Sequence, residues 1–246
     1  MAVGEKVLRE AQKRYLEAIR VKSEKLVELD DWYRKDLHTF LQDRNNDDKQ
    51  GAFLTSDELV KLMKWKLTRG KFRPRLEQLA QSNPNDFVIL QTKEAFQLLF
   101  SSDSSIEKAK EGLLVLNKLK GVGPATSSAI LALYKPRELP FMSDEGLEFA
   151  ADLQGKPKYS VMEWKWYVEK MQERVAKEKW TGGVKELEEA AWAYATLTKN
   201  GLWSDTTTTA PTSSTSTKQQ ITKKKVKHSL DDSQDQSSLQ KKRAKE

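Results

Sequence analysis

The chain has 246 residues, with 43 Lys and Arg against 36 Asp and Glu, two His and no Cys, for a net charge of +7. The missing Cys excludes a disulfide framework, a thiolate zinc site, an iron–sulfur cluster and a Cys nucleophile. His228 falls in a polar tail, so His38 alone is left for a folded site, which argues against a Ser-His-Asp triad or a multi-His metal centre. The longest apolar run, Ala129 to Tyr134, is too short to cross a bilayer. The opening MAVGEKVLRE lacks the apolar stretch of a signal peptide, so a soluble intracellular protein is expected. Glu5 to Lys25 carries Val7, Ala11, Tyr15 and Ile19 four apart on one face, which predicts a helix. A further helical stretch holds Trp32, Leu37, Phe40 and Leu41, and Arg44 to Gly51 (RNNDDKQG) reads as a polar loop. Thr55 with Glu58, Ser104 with Glu107, and Ser160 with Glu163 each have the spacing of a capping box. They predict helices through Met63, to about Leu119 and to about Glu178. The run FVIL at Phe87 is the one strand-like piece, too isolated to build a sheet. A last helix is expected over Val184 to Thr198, with Glu186, Glu188 and Glu189 on a solvated face. The Trp residues of this half, including Trp164, Trp180 and Trp192, belong to packing faces.

The fold class that results is all-α, a helical domain over residues 1–204 followed by a tail over 205–246. The tail begins TTTTAPTSSTSTKQQ after Asp205, too poor in apolar residues to offset chain entropy, and reads as disordered. It carries the basic clusters Lys223-Lys224-Lys225-Val226-Lys227 and Lys241-Lys242-Arg243-Ala244-Lys245, which look like nuclear-localisation signals.

The most informative stretch is Leu116 to Leu133, LNKLKGVGPATSSAILAL. A helix ends near Leu119, a turn follows through Lys120-Gly121-Val122-Gly123, and Pro124 suits the first position of a new helix. Both glycines permit positive φ and leave the turn surface open. Val122 points inward, which leaves N–H groups of the turn facing outward, an arrangement that attracts an anion, most naturally a phosphate. Lys61 to Arg75 adds a second signal. It contains Lys61, Lys64, Lys66, Arg69, Lys71, Arg73 and Arg75 with no acid, charges suited to phosphate neutralisation. Its aromatics Trp65 and Phe72 read as parts of an ordinary helix, with Trp65 partly core, rather than as base-stacking groups.

Lys120-Gly121-Val122-Gly123-Pro124-Ala125-Thr126, followed by an apolar helix, resembles the helix–hairpin–helix of the DNA glycosylase superfamily. The resemblance implies an all-α fold whose hairpin grips the backbone of duplex DNA, with Lys120, Gly121, Val122, Gly123, Ala125 and Thr126 at the contact. It also implies a catalytic Asp shortly after the second helix. Asp144, in Pro140-Phe141-Met142-Ser143-Asp144, occupies that position. Bifunctional members carry a lysine where this chain has Ala125, so the resemblance implies a monofunctional N-glycosylase without lyase activity. No metal or other cofactor is expected. Three readings stay open: a nuclear glycosylase, a DNA-binding module that has lost the chemistry, and a protein-interaction domain. For Asp144 the competing role is a helix N-cap.

Overall fold

The computed structural model describes residues 3–46, 51–100, 105–150 and 157–204. Among them the chain is helical with no strand: α1 (Glu5–Lys13), α2 (Tyr15–Lys22), α3 (Glu24–Asp31), α4 (Leu37–Asn46), α5 (Ser56–Arg69), α6 (Leu76–Gln81), α7 (Asn85–Phe100), α8 (Ile106–Leu116), α9 (Pro124–Tyr134), α10 (Asp144–Ala150), α11 (Val161–Glu178) and α12 (Gly183–Lys199). The tail expectation, from Asp205 on, lies outside the described residues.

Helix α5 runs through the centre of the body. It buries Leu59, Leu62, Met63, Trp65, Leu67 and Arg69, and packs against α3, α6, α7 and α9. The apolar spacing that marked it in the sequence is the face it buries, and the Thr55–Glu58 capping box forms in full. The chain between α3 and α4 widens into a π turn over Trp32–Asp36. That turn sets Tyr33 flat on Trp65, ring centroids 3.6 Å apart, and lets the Tyr33 hydroxyl donate to the Ala129 carbonyl. Trp164 and Trp192 are completely buried and Trp180 nearly so, as their spacing on packing faces requires. Burying aromatics of this size supplies much of the apolar stabilisation of a helical core.

Four local expectations are corrected. The helix predicted across 5–25 breaks at Arg14, whose φ of −95° and ψ of 13° leave the helical region. The break lets α1 and α2 each pack on α12, and Arg14 closes over it by donating to the Leu202 carbonyl. The run FVIL is helical, inside α7, where Val88 faces the core and Leu90 faces solvent. Four apolar residues in a row carry no period of their own, and the longer helical context decides. Helix α8 is capped by Ser105, which accepts from the Lys108 N–H, rather than by Ser104, which lies outside the described residues. Finally, Glu188 and Glu189 are buried rather than solvated.

Candidate functional site

The turn between α8 and α9 is fixed from inside. Leu119 and Val122 are buried, and Val122 N–H donates to the Leu119 carbonyl. Asn83, itself buried, accepts from the Lys120 N–H at 2.8 Å and donates to the Lys120 carbonyl at 3.0 Å. The two glycines do different work. Gly121 has φ +77°, and a Cβ there would stand 2.9 Å from the Leu79 Cβ and 3.0 Å from the Leu76 carbonyl oxygen. It is the residue that lets the turn lie against α6. Gly123 has an extended backbone and nothing within 4 Å of where its Cβ would be. Its missing side chain keeps the outer surface open, and the expectation of positive φ at both glycines holds only for Gly121. Pro124 takes the first helical position. The N–H groups of Gly123 and Ala125 have no acceptor among the described residues, so the outer rim of the turn offers donors.

From the far end of α9 the chain returns through Phe141-Met142-Ser143 to Asp144. Ser128 on α9 holds this return by accepting from the Met142 N–H at 2.9 Å. Ser143 caps α10 by accepting from the Gly146 N–H at 3.0 Å. Capping is therefore done by Ser143, and Asp144 is the first residue of the helix with its carboxylate directed elsewhere. It accepts from the Tyr159 hydroxyl and forms an ion pair with Lys71 Nζ at 2.9 Å. Burial pushes the Asp144 carboxyl up, but the Tyr159 hydroxyl and the Lys71 ammonium outweigh this and hold it below its ordinary value. Burial and the same hydrogen bond keep the Tyr159 phenol protonated. Tyr159 reaches Asp144 from a left-handed backbone, φ +51°, which a tyrosine adopts only when its surroundings impose it.

Beneath this layer lies a buried charge network. Arg69 is 1% exposed and donates twice to Glu188, both at 2.9 Å. Glu188 also accepts from the Ser143 hydroxyl, and the Arg69 guanidinium stacks over Trp192 at 4.5 Å. Burial pushes the Glu188 carboxyl up against the opposing pull of Arg69 and Ser143. The network ties α5 and α12 to the residue immediately before Asp144.

The hairpin, the return to Asp144 and Arg69 meet at one cavity of about 320 Å³. Its wall takes Lys66, Arg69, Gly70, Lys71 and Arg73 from the basic segment. Gly121, Gly123, Pro124, Ala125 and Thr126 come from the hairpin, and Ser143, Asp144, Glu145 and Tyr159 from the opposite side. The structure thus brings most of the sequence-predicted residues together. Lys64, Arg75 and Lys120 are exposed on the same segments without lining the cavity. Arg69 must be corrected: it is buried and its guanidinium is paired with Glu188 inside the protein, so it is not an exposed phosphate contact. Thr126 lines the cavity but is 3% exposed, and the Val122 side chain belongs to the core. Trp65 is buried as expected, and Phe72 is 77% exposed.

Sequence reasoning missed Tyr159, Asn83 and Glu188. Only Glu188 left a usable signal, since it shares a helical face with Val184, Ala191 and Trp192. Among the described residues no group of acids and histidines is placed to hold a metal, and no helix is long and apolar enough to cross a membrane. Comparison with protein families, curated proteins and solved structures finds no match to this chain.

Proposed function

We propose that this protein binds duplex DNA across the mouth of the cavity and acts on a deoxynucleotide held inside it. The observation that carries the reading is the convergence of the hairpin donors, the basic segment and Asp144 on one cavity. The hairpin and Asp144 were singled out through one resemblance, and the basic segment separately through its charge. In this reading the outward N–H groups of Gly123 and Ala125 take one phosphate, at a turn followed by a helix N-terminus that favours negative charge. Lys71 and Arg73 take its neighbours. Lys71 is 68% exposed and sits on Asp144. A phosphate competing for Lys71 would free the carboxylate at the moment the substrate arrives. Asp144, ionised at neutral pH, would then stabilise positive charge developing on a deoxyribose as its base departs, in the manner of a monofunctional N-glycosylase. The basic clusters of the tail fit import into the nucleus.

A panel of duplexes each carrying one damaged base, incubated with wild type and Asp144→Asn, tests this. Base release by wild type that falls by about a hundredfold or more in the variant supports the catalytic role. Release that persists in Asp144→Asn removes Asp144 from the chemistry. A second reading rests on the engagement of Asp144 by both Tyr159 and Lys71, which suits a structural carboxylate in a non-catalytic DNA-binding module. Binding with no release from any duplex would favour it.

A further inference from the structure

Two cations of the cavity wall stand outside the network and the ion pair with Asp144: Arg73, which lies over the Tyr159 ring at 5.5 Å, and Lys66. Lys66 lies on α5 one turn before Arg69, and its side chain is half-buried. No hydrogen bond or ion pair holds its ammonium among the described residues. Arg69, on the same face, is tied to Glu188, and Lys71 is paired with Asp144 from an exposed position. A lysine that needed only to neutralise a phosphate would be better exposed, as Lys64 is. A lysine drawn into a cavity beside other cations is in the setting that turns an ammonium into a nucleophile.

We propose that Lys66 is an amine nucleophile that captures an aldehyde carrying a phosphate, forming an imine within the cavity. Under the proposed function, on which the identity of this ligand rests, the aldehyde is the open-chain deoxyribose of an abasic site. The chemistry balances without a further reactant. The ammonium releases a proton to solvent, and the free amine adds to the carbonyl carbon, forming the C–N bond of a carbinolamine. The carbinolamine hydroxyl then takes up a proton from solvent and leaves as water, and an iminium remains. Burial, reinforced by Arg73 and opposed by Asp144, brings the Lys66 ammonium down to about 8. At pH 7 about a tenth of its amines are free, roughly three-hundredfold more than for an ordinary lysine. The sequence had pointed away from such chemistry because the hairpin carries Ala125. The structure supplies the amine from α5 instead.

The test uses the full chain with duplex DNA carrying one abasic deoxyribose, followed by borohydride reduction and mapping of the adduct by mass spectrometry. In parallel, binding is measured with a duplex bearing a non-aldehyde abasic analogue, and labelling with glyceraldehyde 3-phosphate. The expected result is a reduced linkage on Lys66, lost at least about tenfold in Lys66→Arg while analogue binding changes less than about threefold. That split separates a nucleophile from a phosphate contact. Analogue binding without a Lys66 adduct, or an adduct undiminished in Lys66→Arg, overturns the proposal and leaves the DNA reading standing. No binding to any duplex with selective labelling of Lys66 by the small aldehyde keeps the nucleophile and rejects DNA. Labelling of exposed lysines in place of Lys66 by both probes rejects the nucleophile.

Discussion

Gly121 and Gly123 sit two residues apart in one turn, yet the structure assigns them opposite vulnerabilities. At Gly121 a methyl group meets both a positive φ and the backbone of α6. Gly121→Ala should lower stability by about 1–3 kcal/mol, read as a shift of the urea midpoint at unchanged slope. Gly123→Ala meets no atom and keeps an allowed backbone, so its stability should stay within about 0.5 kcal/mol of wild type. If the Gly123 and Ala125 donors take a phosphate as proposed, the methyl would crowd it and DNA affinity should fall about tenfold or more. A Gly123→Ala protein that binds DNA normally would remove the hairpin rim from the interface. Lys66 makes a different prediction. Its folded value of about 8 lies below the 10.5 of the unfolded chain. Between those values the unfolded chain binds more protons, so the protein gains stability as pH rises through that window and bears the cost of a charged Lys66 below it. Solvent reaches this half-buried group, which trims the effect to the order of 1 kcal/mol. Lys66→Met should therefore raise the melting temperature at pH 7 and lose that gain by about pH 10. The groups around it, Arg69, Lys71, Arg73, Asp144, Glu145 and Tyr159, are unchanged in the comparison.

Between elements, the decisive contact is Arg69 of α5 with Glu188 of α12. Removing one partner strands the other charge in the core, so Arg69→Met or Glu188→Leu alone should cost about 3–5 kcal/mol. The pair together should recover most of this, because apolar side chains of similar size can replace a buried ion pair. Denaturant unfolding of the two single variants and the double variant measures the coupling, and additive losses would show that the two residues do not act as a pair. This contact also marks where reading the sequence succeeded and where it stopped. The apolar stripes of α5 and α12 were legible because burial follows the helical period. The caps at Thr55 and Ser160, the hairpin and Pro124 were legible because each serves a local backbone need. Arg69 was read as a phosphate contact because a run of cations shows charge and not direction. Its place one turn after Trp65 on the buried stripe, with Glu188 similarly placed on α12, was the signal for a buried pair. Tyr159 left no such trace, since its strained backbone and its reach to Asp144 depend on segments distant in the chain.

At the scale of the whole molecule, Lys61 to Arg75 and the tail from Asp205 hold the positive charge, and the rest of the chain is net acidic. The structure divides the basic segment further. Arg69 is spent inside the core, and Lys61 lies over the Trp32 ring at 4.4 Å. Lys71 and Arg73 line the cavity with exposed side chains, while Lys64, Arg75 and the hairpin's Lys120 are exposed nearby in the chain. A docking face of this kind should neutralise about four phosphates, so the logarithm of affinity should fall with the logarithm of salt at a slope of roughly −4. Arg73→Glu and Lys120→Glu should each weaken binding to every duplex alike and flatten that slope by about one. Asp144→Asn removes a carboxylate and not a phosphate contact, so it should change base release and leave the slope where it was. Titrations of the variants across a salt series, on one damaged and one undamaged duplex, separate these effects. A slope insensitive to Arg73 and Lys120 would place the polyanion on another face, and with it the cavity would lose its claim to DNA.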